Sequence, residues 1–240
     1  MPSNPATAAA TTSVADLALP AALLWDMDGT LVDTEPYWIQ AEIDLAAEHG
    51  GSWTHEQALQ LIGRPLTDSA SILREQGGIR GTDDEIADTL VARVAERVRR
   101  DGPPWRSGSR ELLEAARAAG VPCALVTMSY RVLAEAVLDT LEPGTFATVV
   151  TGDEVTHGKP HPEAYLTAAA TLGAAPAECV ALEDSTVGVA AAEAAGVPTI
   201  AVPLMVEIPA APGRSRVRDV GTLTLEDLSR VAGGEVIERV

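Results

Sequence analysis

The chain is poor in aromatic residues and nearly devoid of lysine. Phe, Trp and Tyr make up 3% of its 240 residues, with a single Phe. A core built from this sequence is therefore aliphatic, made of Ala, Val and Leu. Lys159 is the only lysine. Lys and Arg together number 17 against 35 Asp and Glu, a net charge of -18. An acidic balance of that size excludes the basic footprint that nucleic acid or an anionic membrane requires. No Lys or Arg precedes Arg64, so the basic start of a secretory signal is missing. The longest early apolar run, Leu17 to Trp25, is too short to span a bilayer. Cysteine is scarce as well. Cys123 and Cys179 both lie in apolar stretches, where two reduced core thiols are expected. A cytoplasmic location is the default that follows.

What is present is a hydrophobic fraction of 46%, enough for a real core. Residues 1–18 are Ala, Thr, Ser and Pro without pattern and read as a loose tail. Ala21 to Trp25 is a short apolar run ending at Asp26 and a Gly-containing turn, as in a buried parallel strand. From Pro36 to Pro104 the spacing is helical. Ile39, Ile43 and Ala46 recur up to Gly50, and Ile86, Leu90, Val94 and Val98 mark a longer helix that Thr82 starts. After Pro104 helices and strands alternate. Helices are predicted over 109–119, 132–141, 162–172 and 187–195, and strands over 123–126, 146–150, 179–182 and 199–202. Leu223 and Leu225 begin one more strand or a short helix. Alternation of this kind implies right-handed crossovers and an α/β fold, a doubly wound, Rossmann-like parallel sheet. The expected domains are a core of residues 19–34 and 105–240 and an inserted helical cap of residues 35–104.

Open parallel sheets bind ligands at the carboxyl ends of their strands. Three predicted strands end in polar residues: Asp26 and Asp28, then Thr127, then Glu183 and Asp184. Lys159 stands between Gly158 and Pro160, just before a helix. Side chains two apart in an extended segment face the same way, so Asp26 and Asp28 can share one site. Four carboxylates around one crevice repel each other. Mg²⁺, which takes oxygen ligands and keeps several waters, relieves this. Such a cation also makes an anionic substrate tolerable to so acidic a protein. Each feature has a plainer reading when taken alone. Asp26-Met27-Asp28-Gly29 could open a calcium loop, but Leu24 would then be its first ligand position, and a strand precedes it where a helix should. Thr127 could make a local strand-end bond, Lys159 could be a solvated lysine, and Glu183-Asp184 could cap a helix.

Taken in order, the set resembles a known family. Asp26-Met27-Asp28-Gly29-Thr30-Leu31-Val32-Asp33-Thr34 resembles the first motif of the haloacid dehalogenase superfamily. Thr127 in Leu125-Val126-Thr127-Met128-Ser129 resembles the second, Lys159 in Gly158-Lys159-Pro160-His161-Pro162 the third, and Glu183-Asp184-Ser185 the fourth. The insert after the first motif resembles the helical cap of the β-phosphoglucomutase-like branch. The resemblance implies a magnesium-dependent phosphatase. Asp26 would be the nucleophile, forming an aspartyl-phosphate, and Asp28 the general acid and base. Mg²⁺ would be held by the Asp26 carboxylate, the Asp28 main-chain carbonyl and Asp184, with Glu183 near it or joined through water. Thr127, Met128, Ser129 and Lys159 would hold the phosphoryl group. Thr34 at the hinge and Arg64 in the cap are candidate substrate contacts, and Tyr37 and Trp38 are further readers of the leaving group.

Mutases of that branch carry a histidine where this chain has Trp38, which tilts the expectation from mutase toward hydrolysis. Asp28 argues against dehalogenase chemistry. The lysine-free cap argues against phosphonate cleavage through a Schiff base. The intact set argues against a non-catalytic binding protein. His157 and His161 are read as positional, and Arg214, Arg216 and Arg218 as a solvated loop. The expected partner is a small phosphorylated metabolite, and the expected assembly a monomer or weak homodimer.

Overall fold

The computed structural model describes residues 18–62 and 64–240. The predicted tail over 1–18 falls outside these residues except for Ala18. Seven strands form one sheet: β1 (Ala22–Trp25), β2 (Cys123–Val126), β3 (Thr148–Val150), β4 (Cys179–Glu183), β5 (Thr199–Ala201), β6 (Ser215–Val217) and β7 (Glu238–Arg239). Their order is β3-β2-β1-β4-β5-β6-β7, and every pair is parallel. The chain winds outward from β1 to β3 and then crosses back to β4. That reversal makes a switch point between β1 and β4, where a crevice opens at the carboxyl ends.

Both faces of the sheet are covered, so β1, β2 and β4 are buried throughout and, apart from Glu183 at the end of β4, apolar. The period of two divides their side chains. Leu23 and Trp25 join the cluster that includes α5 (Ser109–Ala118), α6 (Arg131–Leu138) and α9 (Leu225–Ala232). Ala22 and Leu24 join the opposite one, with α7 (Glu163–Thr171) and α8 (Thr186–Ala194). Alanines supply much of that second layer, among them Ala164, Ala168, Ala191 and Ala192.

Between β1 and α5 lie the four helices of the cap: α1 (Glu35–Glu48), α2 (His55–Leu59), α3 (Leu66–Gln76) and α4 (Asp83–Asp101). Pro36 occupies the first turn of α1, where its missing N–H costs nothing. Thr54 with Gln57 and Thr82 with Glu85 form capping boxes at α2 and α4. The stripe Ile86, Leu90, Val91, Val94 and Val98 buries α4 against α1, α3 and α6. Two connecting segments join cap and core side by side. The Asp33 N–H donates to the Pro104 carbonyl at 2.8 Å, and the Arg106 N–H to the Leu31 carbonyl at 3.0 Å. The Tyr37 hydroxyl donates to the Gly102 carbonyl at 3.0 Å, tying α1 to the return segment.

The far edge of the sheet departs from the sequence reading. Arg216 lies in β6 instead of a solvated loop, and its guanidinium pairs with Glu238 of β7 at 2.5 Å. Arg214 pairs with Glu193 of α8. Leu225 opens a helix, α9, whose capping box is Thr224 with Asp227. Among the described residues no helix is long and apolar enough to cross a membrane.

Candidate active site

Asp26 follows β1, Thr127 follows β2, and Glu183 is the last residue of β4. These three neighbouring strands meet at the switch point, so residues distant in sequence converge. The turn after β1 is tight. The Met27 carbonyl accepts from the N–H groups of Leu31 and Val32 at 2.9 and 3.0 Å, and the Gly29 N–H donates to the Val32 carbonyl at 2.7 Å. Gly29 has a φ of +90°, and a Cβ there would lie 2.0 Å from Asp184 Oδ2. Glycine is thus required twice, by the backbone and by the Asp184 carboxylate pressed against it.

Lys159 connects the halves of the site. Its Nζ donates to Asp26 Oδ1 at 2.7 Å, to Glu183 Oε1 at 2.6 Å and to the Val126 carbonyl at 2.8 Å. All three donors of the ammonium are used, and its side chain is 3% exposed. Burial alone would lower its pKa, but the Asp26 and Glu183 carboxylates outweigh burial and raise it. Lys159 is therefore a fixed positive charge.

The other oxygen of Asp26, Oδ2, is buried without a partner. Carboxylate oxygens of Asp26, Glu183 and Asp184 lie within 4.8 Å of one another. Burial, then Asp26 and Glu183, push Asp184 up to about 9, and burial and Asp26 push Glu183 up to about 6. A buried acidic cluster with one orphaned oxygen suits a divalent cation, which would supply the missing partner and return these groups to their ionised forms.

Asp28 stands apart from this cluster in a hydroxyl cage. Ser129 Oγ donates to Asp28 Oδ2 at 2.7 Å, Thr127 Oγ1 lies 3.3 Å from the same oxygen, and Thr34 Oγ1 donates to Oδ1. Burial raises the Asp28 pKa, the hydroxyls oppose that, and Asp26 adds to it, with a net upward shift. Two aspartates two residues apart are thus placed in unlike surroundings, one charge-paired and one biased toward its protonated form.

The remaining predicted residues are arranged less closely. Met128 Sδ accepts the Lys159 backbone N–H at 3.2 Å, which fixes the third-motif loop against the second. Arg64 is exposed, and its Nε donates to the Gln60 carbonyl at 2.8 Å within the cap. Among the described residues no hydrogen bond joins it to the carboxylate cluster. Tyr37 and Trp38 are half-buried against the core cluster.

Several neighbours of the site escaped the sequence reading. The Tyr165 hydroxyl, fully buried on α7, donates to Glu183 Oε1 at 2.5 Å, and the Lys159 ammonium lies 5.2 Å from its ring centroid. Its signal was a lone hydroxyl-bearing aromatic among the alanines of the helix after Lys159. Arg106, on the segment returning from the cap, donates to the Gly29 carbonyl. Glu35, the first residue of α1, is pushed up to about 7 by burial and by Asp28 and Asp33.

A doubly wound sheet whose switch point holds a lysine-bridged carboxylate cluster, with a helical cap inserted beside it, defines a capped enzyme of the Rossmann-like class. The family model described as haloacid dehalogenase-like hydrolase matches residues 23–202. Hexitol phosphatase B of Escherichia coli K12 is 31% identical over 185 residues, spanning 76% of this chain and 83% of that protein. A phosphorylated carbohydrates phosphatase of Thermotoga maritima is 32% identical over 183 residues, 75% of this chain and 83% of that one. The crystal structure of CbbY from Rhodobacter sphaeroides with phosphate superposes with a TM-score of 0.75 at 28% identity, covering 85% of this chain and 96% of that one. The chain belongs to the haloacid dehalogenase-like hydrolases, in the phosphatase branch, and is an enzyme that hydrolyses phosphate esters.

Proposed function

We propose that this enzyme is a magnesium-dependent phosphatase acting on a small phosphate monoester of a sugar or polyol, through an aspartyl-phosphate on Asp26. The observation that carries the reading is the division of labour between the two aspartates. Asp26 is bound to Lys159 by one oxygen, and its other oxygen is buried without a partner. Asp28 is biased toward the protonated form a general acid needs.

In this reading an Asp26 carboxylate oxygen attacks phosphorus, and the bond to the ester oxygen breaks. Asp28 gives its proton to that oxygen as the alcohol leaves. Asp28, now ionised, takes a proton from a water that attacks the aspartyl-phosphate, which releases inorganic phosphate and restores Asp26. Lys159, the Thr127 hydroxyl and the groups of Met128 and Ser129 hold the phosphoryl oxygens as charge shifts among them. Asp26, the Asp28 main-chain carbonyl and Asp184 would hold the cation, which supplies electrostatic stabilisation of the phosphoryl charge. Glu183, engaged by Lys159 and Tyr165, sets the ammonium in place and lies within reach of the same ion.

The cap, residues 35–104, closes over a core of residues 19–34 and 105–240 and reads the leaving group, with Thr34 and Arg64 as contacts. Trp38 favours hydrolysis over phosphoryl transfer to a second sugar hydroxyl. The names of the relatives support a sugar or polyol substrate: one is a hexitol phosphatase and another a phosphorylated carbohydrates phosphatase. The enzyme is read as cytoplasmic and as a monomer or weak homodimer.

The test is inorganic phosphate release from a panel of sugar and polyol phosphates with and without Mg²⁺. Release from at least one ester, abolished by a chelator, is expected. No release from any ester overturns the reading. Conversion of a hexose 1-phosphate to its 6-phosphate would establish a mutase instead. Asp26→Asn should lower turnover by about a thousandfold or more, on the scale seen when a covalent nucleophile is removed, with the thermal transition retained. Activity near wild type would remove Asp26 as nucleophile.

A further inference from the structure

Among the described residues, one group of side chains besides the carboxylate cluster could hold a metal ion. His157, His161 and Glu163 bracket the loop that carries Lys159, and their ligand atoms lie within 4.8 Å of one another. His157 Nδ1 is 3.0 Å from Glu163 Oε2, and His161 Nδ1 is 3.9 Å from the same oxygen. The two imidazole centroids are 4.6 Å apart. With tetrahedral zinc–nitrogen and zinc–oxygen bonds of about 2.0–2.2 Å, two ligand atoms of one ion stand about 3.3–3.6 Å apart. The two nitrogen–oxygen distances, 3.0 and 3.9 Å, lie on either side of that spacing. The histidines are solvent-exposed, with side chains 62% and 51% accessible. His161 Nδ1 accepts the Glu163 N–H at 3.3 Å, a bond that an ion at this nitrogen would replace.

The carboxylate is already oriented. Glu163 Oε1 accepts the Thr156 N–H at 2.7 Å, and Oε2 accepts the His157 N–H at 3.0 Å. These bonds hold the carboxylate toward the His157 ring, as the outer partners of a metal ligand do. Two imidazoles and one carboxylate suit Zn²⁺ or Ni²⁺ and disfavour Mg²⁺, which prefers an all-oxygen shell. Exposure leaves room for water in the remaining positions.

We propose that His157, His161 and Glu163 form a second metal site, for a transition-metal ion such as Zn²⁺, separate from the Asp26–Glu183–Asp184 cluster. The ion clamps residues 157–163 into one chelate ring, with Lys159 inside it, and sets a positive charge on an acidic surface. This inference does not depend on the substrate or on the phosphatase reading.

The test is titration of the full chain with Zn²⁺ in excess Mg²⁺, read by calorimetry and by the thermal transition. One ion per chain and a rise in Tm are expected. His157→Ala/His161→Ala should weaken binding at least tenfold and remove the Tm gain, while Asp184→Asn retains both. Binding lost in Asp184→Asn but kept in the double variant puts the ion on the carboxylate cluster and overturns the proposal. Absence of binding in excess Mg²⁺ does the same. Should the double variant fail to fold, the wild type still decides the matter, because it has only four histidines. Ni²⁺ should broaden the imidazole resonances of His157 and His161 and spare those of His49 and His55. Equal broadening of all four, or of none, overturns the proposal.

Discussion

In the proposed reading, Asp184 ties proton binding, metal binding and stability together. Without a cation, burial and then the Asp26 and Glu183 carboxylates push its pKa up to about 9 from the ordinary aspartate value of 3.8, so the folded protein keeps a proton the unfolded chain releases. The metal-free protein therefore loses stability as pH rises from about 4 to about 9, because the unfolded state binds fewer protons across that window. A bound cation takes the proton's place, so its stabilising effect grows with pH over the same range. Thermal transitions with Mg²⁺ and with a chelator should separate progressively from pH 6 to pH 9. A gap that stays constant or narrows would mean that Asp184 does not hold the ion. The residues of this cluster were legible because they sit at strand ends in a fixed order, with Asp26 and Asp28 two apart. Tyr165 and Arg106 were not legible. Their bonds to Glu183 and to the Gly29 carbonyl join elements that only the fold brings together, and nothing in the local pattern marks them.

At the scale of elements, α8 shows how a helix is fitted to the site. Gly188 lies in its first turn, where alanine would ordinarily gain about 1 kcal/mol of helix propensity. A Cβ there would lie 2.0 Å from Glu183 Oε2. That carboxylate cannot swing aside cheaply, since Lys159 and Tyr165 hold its other oxygen. Overpacking costs of about 1–3 kcal/mol outweigh the propensity gain. Gly188→Ala should therefore lower Tm and reduce turnover by disturbing Lys159, and a rise in Tm would show that Glu183 is free to move. Elements were legible in proportion to their length and periodicity. The stripe of α4 and the apolar runs of β1, β2 and β4 announced themselves. Strand β7, two residues at the sheet edge, consists of exposed Glu238 and Arg239, and β6, three residues beside it, sets a half-buried Arg216 between buried Ser215 and Val217, so neither shows an apolar run. Their pairing comes from the sheet they extend, not from their own side chains.

The whole molecule sets a problem that the site solves only locally. A net charge of -18 surrounds a crevice that must admit a phosphate dianion. Lys159 is buried and already paired with two carboxylates, so it does not draw the substrate in from a distance. Arg106 is half-buried, with its guanidinium on the Gly29 carbonyl. The long-range field is therefore repulsive, and attraction would begin only close to the proposed cation. Salt shortens the reach of the first and spares the second: the Debye length falls from about 30 Å at 0.01 M to about 8 Å at 0.15 M ionic strength. With Mg²⁺ held saturating, kcat/KM for a phosphorylated substrate should rise severalfold over that range, while kcat, which reports the occupied site, changes little. A decline in kcat/KM with added salt would mean that exposed cations steer the substrate, which would point to Arg64 at the cap as an electrostatic guide.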